Sequence, residues 1–90
     1  MYIIEFTNKA EKDLGKLPKQ TIARILDKIA KLSNDPRPSS HKKLNDFHVP
    51  NAPNDLYRIR IGDYRVIYSI EDEIISITVV KVAHRKKVYE

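Results

Sequence analysis

Two runs of alternating apolar and polar residues, 56–61 (LYRIRI) and 64–70 (YRVIYSI), meet at Gly62-Asp63, and no other stretch of the chain restricts the fold as tightly. A period of two marks a strand with two unlike faces, and a two-residue loop of this type closes such strands into a tight hairpin. The loop also sets the register. Residue 61 then faces 64, 59 faces 66 and 57 faces 68, which gathers Tyr57, Ile59, Ile61, Tyr64, Val66 and Tyr68 on one face. A face of that composition needs cover. The opposite face collects Arg58, Arg60 and Arg65, with Arg60 directly across from Arg65. Like charges placed opposite one another on neighbouring strands cost stability unless an anion lies between them.

The rest of the chain supplies the cover. After the acidic stretch Glu71, Asp72 and Glu73, residues 74–82 (IISITVVKV) predict a third strand of a meander, with Ile75, Ile77 and Val79 inward and Ser76 and Thr78 on the arginine face. Residues 1–7 predict a first short strand, with Ile4 and Phe6 on one side and Ile3 and Glu5 on the other. From Asn8, a good helix cap, Ala10, Leu14 and Leu17 recur at helical spacing; Gly15 weakens this helix and Pro18 ends it. A second helix follows with Pro18 in its first turn and an apolar stripe of Ile22, Ile25, Leu26, Ile29 and Leu32. The two form a helical hairpin whose remaining surface is Lys, Arg, Asp and Gln. Residues 33–54 hold four of the five prolines among Ser, Asn and Asp, which predicts nothing regular of useful length. The predicted class is α+β: an N-terminal strand, then a helical hairpin packed on an antiparallel twisted sheet, in the order β-α-α-β-β-β, as one domain over residues 1–90.

Composition narrows the function. Seventeen Lys and Arg against twelve Asp and Glu give a net charge of +5, which favours a polyanionic or acidic partner. The chain has no cysteine, so a disulfide scaffold or thiolate metal site is excluded. His41, His48 and His84 do not stand at metal-ligand spacing, and neither a phosphate-binding glycine loop nor a Ser-His-Asp order is present. We therefore expect no metal and no cofactor. The N-terminal apolar run is too short for a signal peptide or a membrane span, and the expectation is a cytoplasmic protein without a membrane partner.

The basic side chains are spaced to converge. To Arg58, Arg60 and Arg65 the sequence adds Lys81, Arg85, Lys86 and Lys87 at the exit of the last strand, and Lys42 and Lys43 ahead of the hairpin, as candidate RNA contacts. A guanidinium donates two parallel hydrogen bonds to phosphate oxygens, and several in one site can neutralise the extra charge of a pentacovalent phosphoryl transition state. The same arginines would equally serve as a plain solvated face. Cleavage of RNA without a metal needs a base for the ribose 2′-OH and an acid for the leaving 5′ oxygen, and His84 and Tyr89 are the nearby side chains with that chemistry. Tyr57, Tyr64 and Tyr68 belong to core packing.

The order strand, helical hairpin, long loop, three-strand meander, with DLYRIRIGDYRVIYSI and VVKVAHRKKVY, resembles the RelE/ParE superfamily of toxins from type II toxin–antitoxin systems over essentially the whole chain. The hairpin G-D-Y-R-V-I-Y followed by V-x-x-H-R-x-x-V-Y is similar to the RelE branch, which implies a RelE-like, microbial ribonuclease-type fold. The resemblance implies a toxin that uses the ribosome as scaffold, cuts A-site mRNA by 2′-OH attack without metal, and leaves a 2′,3′-cyclic phosphate. It carries the site onto Arg58, Arg60, Arg65, Arg85 and Tyr89. RelE toxins bear lysines where this chain has Arg58 and Arg60, and arginine is a poor proton acceptor. The expectation is that Arg65 and Arg85 stabilise the scissile phosphate, Arg58 and Arg60 hold RNA, and His84 or Tyr89 handles protons. The implied partners are the ribosome with its mRNA and rRNA, a cognate antitoxin docking along an apolar groove of the helical hairpin, and operator DNA only through the antitoxin complex. The alternative is a non-enzymatic toxin of the ParE type, which has the same fold and inhibits DNA gyrase.

Overall fold

The computed structural model describes residues 1–44 and 55–87. It contains β1 (Ile3–Phe6), α1 (Asn8–Gly15), α2 (Lys19–Leu32), β2 (Lys42–Leu44), β3 (Leu56–Ile61), β4 (Tyr64–Glu71) and β5 (Ser76–His84). The five strands form one sheet in the order β1-β5-β4-β3-β2. The hairpin register is the one its loop dictates: Ile61 pairs with Tyr64, Ile59 with Val66, Tyr57 with Tyr68 and Arg60 with Arg65. Gly62 has φ 58°, and Asp63 is not among the described residues with positive φ, which is the pattern of a turn with glycine at its first central position.

Four expectations are corrected. The sheet is mixed, because β1 runs parallel to β5. A strand that leaves through a helical crossover and lies beside the last strand is joined by the long connection that parallel pairing requires. Residues 33–54 do contribute a strand, the three-residue β2, which extends β3 on its outer side. Thr7, not Asn8, caps α1: its Oγ1 accepts from the Ala10 N–H at 3.1 Å. Ile75 does not point inward. The β4–β5 turn absorbs it, leaving it 48% exposed with φ 53°. A β-branched side chain in the left-handed region is strained, and Ile75→Asn is expected to raise stability by about 0.5–1 kcal/mol in urea unfolding. Equal or lower stability would show that the Ile75 side chain gains more from its surroundings than its backbone loses.

The core lies between the helices and the sheet face that carries Ile59, Ile61, Val66, Tyr68, Ile77 and Val79; Ala10 and Leu14 of α1 and Ile25, Ile29 and Leu32 of α2 complete it. Leu26 is the only large apolar side chain of the two helices left exposed, so the groove expected along the helical hairpin reduces to that residue. β5 carries a bulge. Tyr68 pairs with Val79 but Ile67 pairs with Lys81, so Val80 is the extra residue. The bulge reverses the alternation: Val82 turns into the core at 4% exposure while Lys81 turns to the other face. Two side chains of the α1 region meet the backbone there. Thr7 Oγ1 donates to the Val80 carbonyl at 3.1 Å, and Asp13 Oδ2 accepts from the Val82 N–H at 3.0 Å.

The loop after α2 is fastened at its start. Arg37 donates to both carboxylate oxygens of Asp72 and lies over the Tyr57 ring at 5.3 Å, while Tyr2 donates to Asp72 at 2.7 Å. These two donors hold the Asp72 carboxyl below its usual pKa, and Asp72 in turn raises those of Arg37 and Tyr2. Tyr68 donates to the Pro36 carbonyl at 2.8 Å, and burial pushes its phenol pKa well above the normal range, so it stays protonated. None of the helices among the described residues is long and apolar enough to cross a membrane.

Candidate nucleic-acid site on the open sheet face

The face away from the helices is built in rows across the strands. One row runs Lys42, Arg58, Ile67, Lys81, and the next, nearer the hairpin tip, runs Arg60, Arg65, Ala83. Farther along the same face the sign changes, to Glu71 on β4 and Glu5 on β1. Pairing thus concentrates five cations at one end of a single face.

Arg58 is not on a solvated surface. It is 8% exposed, next to the small apolar cluster of Leu56, Ile67 and Val80, and its Nη1 has no hydrogen-bond partner. A buried guanidinium nitrogen without an acceptor is costly, and binding an anion relieves that cost. Arg65 is half-buried, and its Nη1 donates to the carbonyls of Tyr64 at 3.0 Å and Gly62 at 3.2 Å. Arg85 reaches the same turn from β5: its N–H donates to the Asp63 carbonyl at 2.7 Å and its Nε stands 3.8 Å from Asp63 Oδ1. Two strand ends therefore place Arg65 and Arg85 around one turn, beside the exposed Arg60.

The remaining candidates divide. Lys42 joins the Arg58 row, whereas Lys43 pairs with Tyr57 on the other face and bonds Asp55 at 3.1 Å. Lys86 and Lys87 are exposed in the turn after β5. His84 pairs with Tyr64, its ring edge-on to that tyrosine at 5.6 Å, which places it on the helix-covered side rather than with the arginines. Its Nδ1 accepts from the Lys86 N–H at 3.2 Å, which occupies the nitrogen a neutral imidazole would offer to a proton. His41 is engaged with the Pro38 carbonyl, and His48 and Tyr89 lie outside the described residues. Among the described residues no group of three or more His, Cys, Asp or Glu stands together to hold a metal ion. One cation near the turn went unread in the sequence: Arg24 of α2, whose guanidinium lies over Gly62. Nothing in the periodicity of α2 separates it from ordinary surface charge.

The comparisons with known proteins agree with this architecture. Residues 4–89 match the family model described as ParE toxin of type II toxin–antitoxin system, parDE. Toxin RelG of Mycobacterium tuberculosis is 29% identical, with 98% of this chain and 95% of that protein covered. The crystal structure of an archaeal RelE–RelB complex from Pyrococcus horikoshii superposes with a TM-score of 0.78 at 32% identity, covering 97% of this chain and 98% of that one. A toxin–antitoxin complex of Mycobacterium tuberculosis, RelBE2, superposes with a TM-score of 0.76 at 30% identity, covering 93% and 98%. With a strand, a helical hairpin and a meander matched from end to end, this chain belongs to the RelE/ParE toxin family of type II toxin–antitoxin systems, on its RelE side.

Proposed function

We propose that the protein is a ribosome-dependent endoribonuclease that cuts mRNA in the ribosomal A site and is held inactive by a cognate antitoxin. The observation that carries this reading is Arg58: a buried guanidinium with an unmatched nitrogen, in a row with Lys42 and Lys81 and next to the opposed pair Arg60 and Arg65. Such a face asks for phosphate. In the reaction the ribose 2′ oxygen forms a bond to the adjacent phosphorus and the bond to the 5′ oxygen breaks, leaving a 2′,3′-cyclic phosphate and a 5′-OH. Arg65 and Arg85 neutralise the charge that builds on the non-bridging oxygens. Arg58 and Arg60, with Lys42 and Lys81, grip the strand. Lys43, Lys86 and Lys87 contribute long-range attraction. A base must take the 2′ proton and an acid must supply the 5′ oxygen. His84, turned toward Tyr64 with Nδ1 occupied, fits this less well than Tyr89 does. The antitoxin is the second partner, since the related toxins of Pyrococcus horikoshii and Mycobacterium tuberculosis crystallise with one.

The test is purified protein added to ribosomes carrying a defined A-site codon, with cleavage read by primer extension beside a ribosome-free control. Wild type is expected to cut only with ribosomes, and Arg65→Ala to lose about 10²-fold or more in rate, the typical effect of removing one transition-state donor. A protein that stops growth without cutting would overturn the nuclease reading in favour of gyrase inhibition.

A further inference from the structure

Three basic residues of α2 that the open face does not use fall on one stripe. Arg24, Lys28 and Lys31 stand at i, i+4 and i+7, which spaces them over about 10 Å of helix on the flank beside the β3–β4 hairpin. Each end of the stripe touches that hairpin. At one end the Arg24 guanidinium covers the turn so closely that a side-chain carbon added to Gly62 would stand 3.3 Å from Nη2 and 3.7 Å from Nη1. At the other, Lys28 and Lys31 meet Arg60 of β3 across a cleft of about 230 Å³ that also takes in Ser40 and Asp35.

Nothing inside the chain accounts for this alignment. Like charges one turn apart repel. Lys31 has Asp27 at 3.6 Å, but neither Arg24 nor Lys28 has an ion-pair partner among the described residues. The cleft offers no apolar anchor either, since Leu32 and Ile59 at its base are 1% and 3% exposed. An acidic peptide would need such anchors to dock. A sugar–phosphate backbone needs only regularly spaced cations. The stripe is also continuous with the open face, because Arg60 belongs to both and Arg24 meets the turn that Arg65 and Arg85 hold.

We propose that Arg24, Lys28 and Lys31 form a second RNA contact, a track on α2 that holds the backbone of a strand passing the hairpin tip. The proposal rests on the reading of the arginine face as an RNA site for its partner class. The test compares two triple variants with the same loss of charge, R24Q/K28Q/K31Q on the track and K12Q/K16Q/K19Q away from it. Each is titrated with a fluorescein-labelled 30-nucleotide RNA, with affinity measured by anisotropy at several KCl concentrations. For the track variant the slope of log affinity against log salt is expected to shrink by about two, at roughly 0.7 per single-strand phosphate released, and for the control by less than one. Should the track variant melt lower than wild type, K28Q/K31Q leaves the Gly62 contact intact and is expected to lose about 1.4. Equal slopes for the two triple variants, or no RNA binding by wild type at 50 mM KCl, would overturn the track. So would an unchanged RNA slope coupled to lost antitoxin affinity, which would make the stripe a protein-docking surface. A lost slope in a protein whose wild type cuts nothing on ribosomes leaves the track standing and removes only the nuclease reading.

Discussion

Replacing Arg58 with methionine is expected to make the protein more stable and less active at once. The guanidinium is buried beside Leu56, Ile67 and Val80, and its Nη1 finds no acceptor, so the folded state carries a desolvated donor with nothing in return. Methionine keeps an unbranched stem in the same space and removes the charge. Exchanging buried charge for well-packed apolar side chains is often stabilising by about 1–4 kcal/mol, and we expect about 1–2 kcal/mol here, which for a domain of this size is a rise of roughly 5–15 °C in Tm. The same change removes a hydrogen bond to charged RNA, a loss of about 1.5–3 kcal/mol, so kcat/KM on ribosomes should fall about 10- to 100-fold. Thermal unfolding and primer extension read the two halves separately. An R58M variant less stable than wild type would show that the arginine is a structural pillar, and the phosphate argument built on its unmatched nitrogen would go with it.

The second large effect lies on the opposite side of the molecule. Asp13→Ala is expected to lower stability by about 3 kcal/mol. The carboxylate is 8% exposed, its Oδ2 accepts the Val82 N–H at 3.0 Å in a buried setting, and Oδ1 bonds Lys9 at 2.6 Å. Hydrogen bonds to charged groups contribute about 1.5–3 kcal/mol, and truncation also strands a buried N–H with no acceptor. Asp13→Asn keeps an acceptor and should lose only about 1 kcal/mol. Urea unfolding with unchanged m-values is the measurement. If alanine and asparagine cost the same, the Val82 contact is not what holds α1 to β5.

Much of this was written in local spacing. The hairpin register followed from a two-residue loop, because counting outward from Gly62-Asp63 leaves no choice of partner, and the two faces followed from the register. The helices followed from the stripes at 22, 25, 29 and 32 and at 10 and 14. What spacing could not reveal were relations settled at a distance. β1 pairs parallel with a strand more than 70 residues away, and Thr7 rather than Asn8 caps α1 because its hydroxyl also serves Val80. His84 looked like a neighbour of the arginines in the chain, but strand alternation past the bulge sends it to the other side. Arg24 was invisible for a different reason. On a helix whose solvent face is all Lys, Arg, Asp and Gln, the one cation leaning on a turn carries no mark of its own.

The bulge at Val80 makes chain length in β5 a variable of its own. Removing one residue between Val79 and Val82 would change no composition worth noting, yet it would re-phase everything downstream: Lys81 would be driven under the helices and Val82 out among the arginines. The contacts of Thr7 and Asp13 would then meet the wrong backbone atoms. A substitution in this strand is therefore a local event, whereas a deletion acts as a frameshift in three dimensions. Any redesign of the basic face must keep the count before it chooses the letters.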